Sequence, residues 1–150
     1  MKNFFATICA VGLLLTGCGE NPQATSANIT EAKTLDTIKI VVNGQTLSAT
    51  LEDNPTARAF AEKLPLEVDM QELNGNEKYF YLNDDLPSNA ARVGQISAGD
   101  LMLFGNNCVV IFYKDFSTSY SYTRLGKINS AALEKILDSG NVHLNFKRSD

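Results

Sequence analysis

Leu101-Met102-Leu103-Phe104-Gly105-Asn106-Asn107-Cys108-Val109-Val110-Ile111-Phe112-Tyr113 holds two apolar runs on either side of a turn. Cys108 to Phe112 is apolar at every position. An extended chain there has no polar face, so it is expected to be covered on both sides. Asn106 and Asn107 suit the turn, because Asn tolerates positive φ. Ala98-Gly99-Asp100 turns the chain just upstream. Downstream, Phe116 to Arg124 is rich in Ser, Thr and Tyr and reads as a further extended segment.

The same strand-and-turn language runs outward in both directions. Ile38, Ile40 and Val42 alternate with Lys39, Val41 and Asn43. Asn43-Gly44 supplies the two positive-φ positions of a type I′ turn, and Leu47, Ala49 and Leu51 resume the apolar face. Asn54-Pro55 then starts a helix. The Asn side chain can cap free amides, and proline fits the first turn because it has no N–H to satisfy. Ala57, Phe60, Ala61 and Leu64 follow at helical spacing, and Pro65 ends the run. Arg58 lies one turn before Glu62 and is expected to pair with it. Leu66, Val68 and Met70 alternate, Asn74-Gly75 turns, and Lys78 to Leu82 forms another strand. In that strand Tyr79 and Tyr81 oppose Phe80 and Leu82, and the alternation does not say which set faces out. Asn83 to Asn89 is loop. Ser130 to Leu137 reads as a short helix with Leu133, Ile136 and Leu137 inward, closed by Ser139-Gly140. Val142, Leu144 and Phe146 make the last strand.

Many short strands with close turns and two brief helices indicate a mainly β fold, a barrel or a sandwich. Two helices fit better as plugs over the open ends of a barrel than as a layer. No internal repeat or second domain appears.

The N-terminus speaks to location. Lys2 precedes an apolar run from Phe4 to Leu15, and Leu15-Thr16-Gly17-Cys18 follows. A charged start, a short apolar stretch and small residues before a cut make a signal peptide, with too few apolar residues to span a bilayer. The pattern resembles bacterial lipoprotein signals, which implies cleavage after residue 17 and acylation of Cys18. The expected organisation is a signal at 1–17, a polar and flexible tether at 18–35 and one domain at 36–147. The expected location is the bacterial cell envelope, with a lipid anchor in a membrane. Gly19 follows Cys18 where Asp would signal inner-membrane retention, which favours the outer membrane in a Gram-negative cell.

Thirteen basic against seventeen acidic residues leave a net charge of −4, with no basic cluster, so nucleic acid is not an expected partner. Of three cysteines only Cys108 remains in the domain, so no intrachain disulfide forms there. Cys108 is expected to behave as a buried, unreactive hydrophobe.

Gly99-Asp100-Leu101-Met102-Leu103-Phe104-Gly105-Asn106-Asn107-Cys108 and Phe116-Ser117-Thr118-Ser119-Tyr120-Ser121-Tyr122-Thr123-Arg124-Leu125-Gly126 resemble the bacterial cyclophilin-like domain family. Leu51 to Ala57 and Asn74 to Tyr79 belong to the same pattern. The resemblance runs from about Ile38 to Phe146. It implies a closed, cyclophilin-type β-barrel with a short helix capping each end. Classical cyclophilins carry their catalytic Arg in a Phe-His-Arg segment, and this chain has none; it also has no Trp and a single histidine, His143. The shared barrel therefore leaves peptidyl-prolyl isomerase or folding factor as the alternative to a non-enzymatic binding module.

No zinc-binding His pair, phosphate loop, dinucleotide fingerprint or nucleophile elbow occurs, so neither a metal nor a cofactor is expected and no catalytic residue is assigned. His143 sits between Val142 and Leu144 and is expected to face solvent. The candidate binding residues are Thr118, Tyr120, Tyr122 and Arg124, which share one face if the segment is extended. Rings beside a guanidinium can stack on a small ligand or an extended peptide and hold a carboxylate or carbonyl. The competing reading is that the rings only cover the barrel and Arg124 pairs with a surface acid.

Overall fold

The computed structural model describes residues 36–138 and 140–150. The expected signal, Cys18, the expected tether and Ser139 lie outside the described residues. Within them the chain runs β1 (Thr37–Val42), β2 (Gln45–Leu51), α1 (Pro55–Glu62), β3 (Leu66–Leu73), β4 (Glu77–Tyr81), β5 (Ala91–Arg92), β6 (Gln95–Ile96), β7 (Asp100–Phe104), β8 (Cys108–Phe112), β9 (Phe116–Ser117), β10 (Ser121–Asn129), α2 (Leu133–Leu137) and β11 (Val142–Arg148). Eight strands run antiparallel in the order β2-β1-β11-β3-β4-β8-β7-β10, the two-residue β5 adds to the start of β10, and β10 pairs back onto β2. That last pairing closes a barrel and removes both sheet edges.

Local chemistry explains the elements. Ile38, Ile40 and Val42 face Leu47, Ala49 and Leu51 across the first hairpin, and all six are buried. Asn43 and Gly44 take φ of 49° and 73°, the mirror-image turn that matches strand twist. Asn54 Oδ1 accepts from the Ala57 amide at 2.8 Å, and Pro55 occupies the first turn of α1. Phe60 then reaches into the barrel, where it packs edge-on against Phe146 at 5.4 Å. At the opposite end α2 buries Leu133, Ile136 and Leu137, and Asn43 Nδ2 donates to the Ile136 carbonyl. The helices therefore cap the two ends. Arg58 pairs with Asp53 rather than with Glu62. Helical side chains lean toward the N-terminus, which directs the guanidinium back to the acid before the cap.

The seam is tight. Gly126 of β10 stands opposite Leu51 of β2, and a Cβ placed there would lie 2.4 Å from the Thr50 carbonyl oxygen. Next to it the β7–β10 register shifts between Arg124 and Gly126. The extra residue lets Leu125 and Ile128 both enter the barrel core, although three residues apart they would oppose each other on a flat strand.

A second core explains the apolar stretch at Cys108–Phe112. Val109 and Ile111 point into the barrel; Cys108, Val110 and Phe112 point outward. Outside, they meet Ile96, Met102 and Tyr122, with Val93, Phe116 and Tyr79 packed against them. The chain between Asn83 and Ser117 supplies most of this cover. Asn106 and Asn107 do more than turn: their carbonyls accept the Leu86 and Leu82 amides and hold the start of that excursion to the barrel.

Candidate functional site

The segment read as one extended face is broken. Phe116–Ser117 pairs with β6, Thr118 to Tyr120 has no strand partner, and β10 begins at Ser121. The Thr118 amide donates to the Gly94 carbonyl, and Thr118 Oγ1 accepts from the Tyr120 amide at 3.1 Å, which bends the chain there. So Thr118, Tyr120, Tyr122 and Arg124 do not form a single row. Tyr122 is buried and stands between two cavities. Thr118 and Tyr120 line one with it, and Arg124 lines the other.

The larger cavity is a groove of about 710 Å³ on the outer face of the barrel. Its walls are rings. Phe104 meets Tyr120 at 6.0 Å and Tyr122 at 5.6 Å; Phe112, just beneath, meets Tyr122 at 5.4 Å and Phe116 at 5.6 Å. Tyr79 and Tyr81 complete the opposite side at 5.9 Å from each other. The alternation left open by the sequence resolves with Phe80 inward and the two tyrosines outward. Edge-on and tilted ring pairs of this kind each add about 0.5–1.5 kcal/mol beyond area burial, so the array is held in place before any ligand arrives.

Exposure singles out this groove. Among the described residues the exposed large apolar side chains are Leu73 (40%), Tyr81 (64%), Phe104 (43%) and Tyr120 (62%), and all four line it. Phe104, Phe116, Glu77 and Leu73 were not candidates from the sequence. Phe104 ends a buried run, and nothing local reveals that the run leaves the core one residue early. Glu77 does share the parity of Tyr79 and Tyr81, which was the available signal.

Cys108 lies at the groove floor, only 5% exposed. Burial pushes its thiol up to about 11, against a smaller opposing pull from a hydrogen bond with Tyr81; the nearby Glu77 charge adds to the rise. A thiol held protonated and covered is a poor nucleophile. The folded protein is therefore expected to react with a thiol reagent such as DTNB far more slowly than the unfolded chain, by at least about a hundredfold, measured by absorbance with and without denaturant. Comparable rates would show that the outer core opens readily.

The smaller cavity, about 480 Å³, lies between α1, the Pro87–Val93 segment and the start of β10. Thr56 Oγ1 donates to the Pro87 carbonyl at 2.6 Å, Asn54 Nδ2 to the Arg124 carbonyl at 2.8 Å, and the Asn89 amide to Thr123 Oγ1 at 2.9 Å. These bonds tie helix, loop and strand into one wall. Arg92 and Arg124 line the cavity. The Arg124 guanidinium is 4.0 Å from the buried carboxylate of Asp100, which Lys127 Nζ approaches to 2.9 Å. Arg124 thus retains free donors.

His143 lies apart from both cavities, exposed on β11. It bridges Asp69 at 2.8 Å and Glu67 at 2.7 Å on the neighbouring strand. Its pKa is raised by the hydrogen bonds to Asp69 and then Glu67.

The chain matches the cyclophilin-like family over residues 40–147, from the first barrel strand to the last. A solution structure of a hypothetical protein from Archaeoglobus fulgidus superposes with a TM-score of 0.59 at 18% identity, covering 81% of this chain and 100% of that one. At that identity the likeness establishes the fold alone. No curated protein matches the chain. With the match spanning every strand that closes the barrel, the chain belongs to the cyclophilin-like family.

Proposed function

We propose that this protein is an envelope lipoprotein, anchored in a membrane through acylated Cys18, whose barrel serves as a binding module for a small ligand or an extended peptide. The observation that carries the binding role is the gathering of Leu73, Tyr81, Phe104 and Tyr120 on one groove. Apolar side chains scattered singly need no explanation, whereas a contiguous concave patch rimmed by polar groups is the usual form of a ligand site. Thr118, Tyr120 and Tyr122 belong to this site. Anchoring rests on the sequence around Cys18 alone. Acyl chains contribute about 0.8 kcal/mol per buried methylene, so more than one holds a protein stably.

A screen of aromatic fragments and short apolar peptides by thermal shift tests the module. Hits should stabilise the wild type and lose most of that effect in Tyr120→Ala, an exposed position whose truncation leaves the barrel intact. Hits that stabilise both equally would place binding elsewhere. In cells, Cys18→Ala should leave the membrane fraction or remain unprocessed; an unchanged mass and fractionation would remove the anchor from the proposal.

The smaller cavity supports a second reading, prolyl isomerase. There Arg124, half-exposed and 4.0 Å from the Asp100 carboxylate, lines the cavity together with Val93, Ala91 and Tyr122, a donor in a partly apolar pocket. Isomerisation needs such a donor on the prolyl amide. A peptide isomerisation assay that shows catalysis by the wild type and its loss in Arg124→Ala would favour this reading over the first.

A further inference from the structure

We infer that the aromatic groove takes an organic cation, an ammonium or guanidinium group on an apolar body, with Glu77 as its counter-charge. This deepens the binding role proposed above and rests on it. Glu77 lies on the outer face of β4 with Tyr79 and Tyr81 and lines the groove. It is the sole carboxylate among the lining residues, and no Lys, Arg or His is among them. Lys78, next in the chain, turns the other way and is committed to Glu72 inside the barrel. The Glu77 backbone is paired in the sheet, but its carboxylate makes no hydrogen bond or ion pair among the described residues. It is partly buried nonetheless.

A carboxylate withdrawn from water without a partner is an unfavourable arrangement. Its effect is visible in Glu77 itself, whose pKa is raised by burial first and by the charge of Glu72 second. A ligand cation would supply the missing charge. The surrounding rings point to the same sign, because the face of an aromatic ring carries negative potential and attracts ammonium and guanidinium groups. An anionic ligand would meet both the carboxylate and the ring faces as repulsion. An uncharged apolar ligand would fill the groove and leave Glu77 uncompensated.

Three probes with one apolar body separate the cases: 2-phenylethylamine, 2-phenylethanol and 3-phenylpropionate, titrated calorimetrically into the mature wild-type chain at neutral pH. The amine should bind about tenfold tighter than the alcohol, from a neutralised carboxylate and ring contacts together, and the propionate weakest of the three. Glu77→Gln, close in shape and free of the buried charge, should remove the preference, leaving the amine no tighter than the alcohol. Tyr81→Leu should weaken the amine more than the alcohol, which keeps a second mutational arm if Glu77→Gln folds poorly. Equal binding of amine and alcohol to the wild type, or a preference that survives Glu77→Gln, would overturn the cation and keep the groove. Failure of all three to bind would overturn the groove as well.

Discussion

Gly126→Ala is expected to open the barrel. The added methyl would sit 2.4 Å from the Thr50 carbonyl oxygen and 3.1 Å from the Leu51 Cα, and both are backbone atoms of the strand that closes the sheet. No side chain can swing aside, so β2 and β10 must separate. Glu52 N donates to the Leu125 carbonyl just beside the contact, so seam hydrogen bonds go with it. Overpacking against flexible neighbours costs about 1–3 kcal/mol, and a backbone clash falls at or above the top of that range. We expect a loss of about 3 kcal/mol or more in denaturant unfolding, with faster amide exchange in β2 and β10 before any other strand. Gly105→Ala is the comparison. Its φ is positive, 61°, which that of Gly126 is not, and nothing lies within 4 Å of the new methyl, so only backbone strain of about 1–2 kcal/mol is expected. If both variants lose the same stability, the seam contact is not what Gly126 provides.

The second large effect lies at the other end of the barrel. Lys78 is fully buried, its ammonium bonded to the Glu72 carboxylate and the Gly140 carbonyl, and it lies 5.0 Å from the Tyr113 ring centroid. Tyr113 donates its hydroxyl to the same carboxylate at 2.9 Å. Removing one partner of a buried pair costs about 3–5 kcal/mol, because the other charge is left without compensation. Glu72 is partly open to water, so Lys78→Met is expected to cost less, about 2–4 kcal/mol by denaturant unfolding. Lys78→Met combined with Glu72→Gln should recover part of that loss. The sign of the pH dependence follows from Glu72. Burial raises its pKa, but hydrogen bonds from Lys78, Tyr113 and the Gly75 amide outweigh burial and leave it lowered from 4.5. A lowered carboxylate stabilises the folded state above pH 4.5 and loses that contribution as pH falls through the lower folded value. Wild-type stability should therefore drop below pH 4.5, and the drop should be shallower in Lys78→Met. A mutant as stable as the wild type, with the same acid limb, would show that the cluster is incidental.

These two sites differ in how visible they were. Gly126 closes a resembling motif, yet its partner strand lies some seventy residues away in the chain. Lys78 shares its parity with Phe80 and Leu82, so alternation alone points it inward. Nothing local says that an ammonium there will find Glu72 and Gly140, which β3 and the approach to β11 supply.

By itself the sequence determined whatever rests on short-range rules. Asn43-Gly44 between two alternating runs specified the first hairpin, because only a mirror-image turn matches strand twist. Asn54-Pro55 specified the start of α1, and the unbroken apolar run from Cys108 to Phe112 specified a strand covered on both faces. Tertiary structure alone decided what does the covering. Ile96, Phe116 and Tyr122 come from separate segments, and their meeting over β8 depends on how the excursion after β4 folds back. It also decided the fate of the candidate row. The chain bends at Thr118, whose amide donates to the Gly94 carbonyl in the loop between β5 and β6 and whose hydroxyl accepts from the Tyr120 amide, before β10 begins at Ser121. A period-two pattern assumes an unbroken strand, so it placed Tyr120 and Arg124 on one face. The break before β10 sent them to different cavities, with Tyr122 as the wall between.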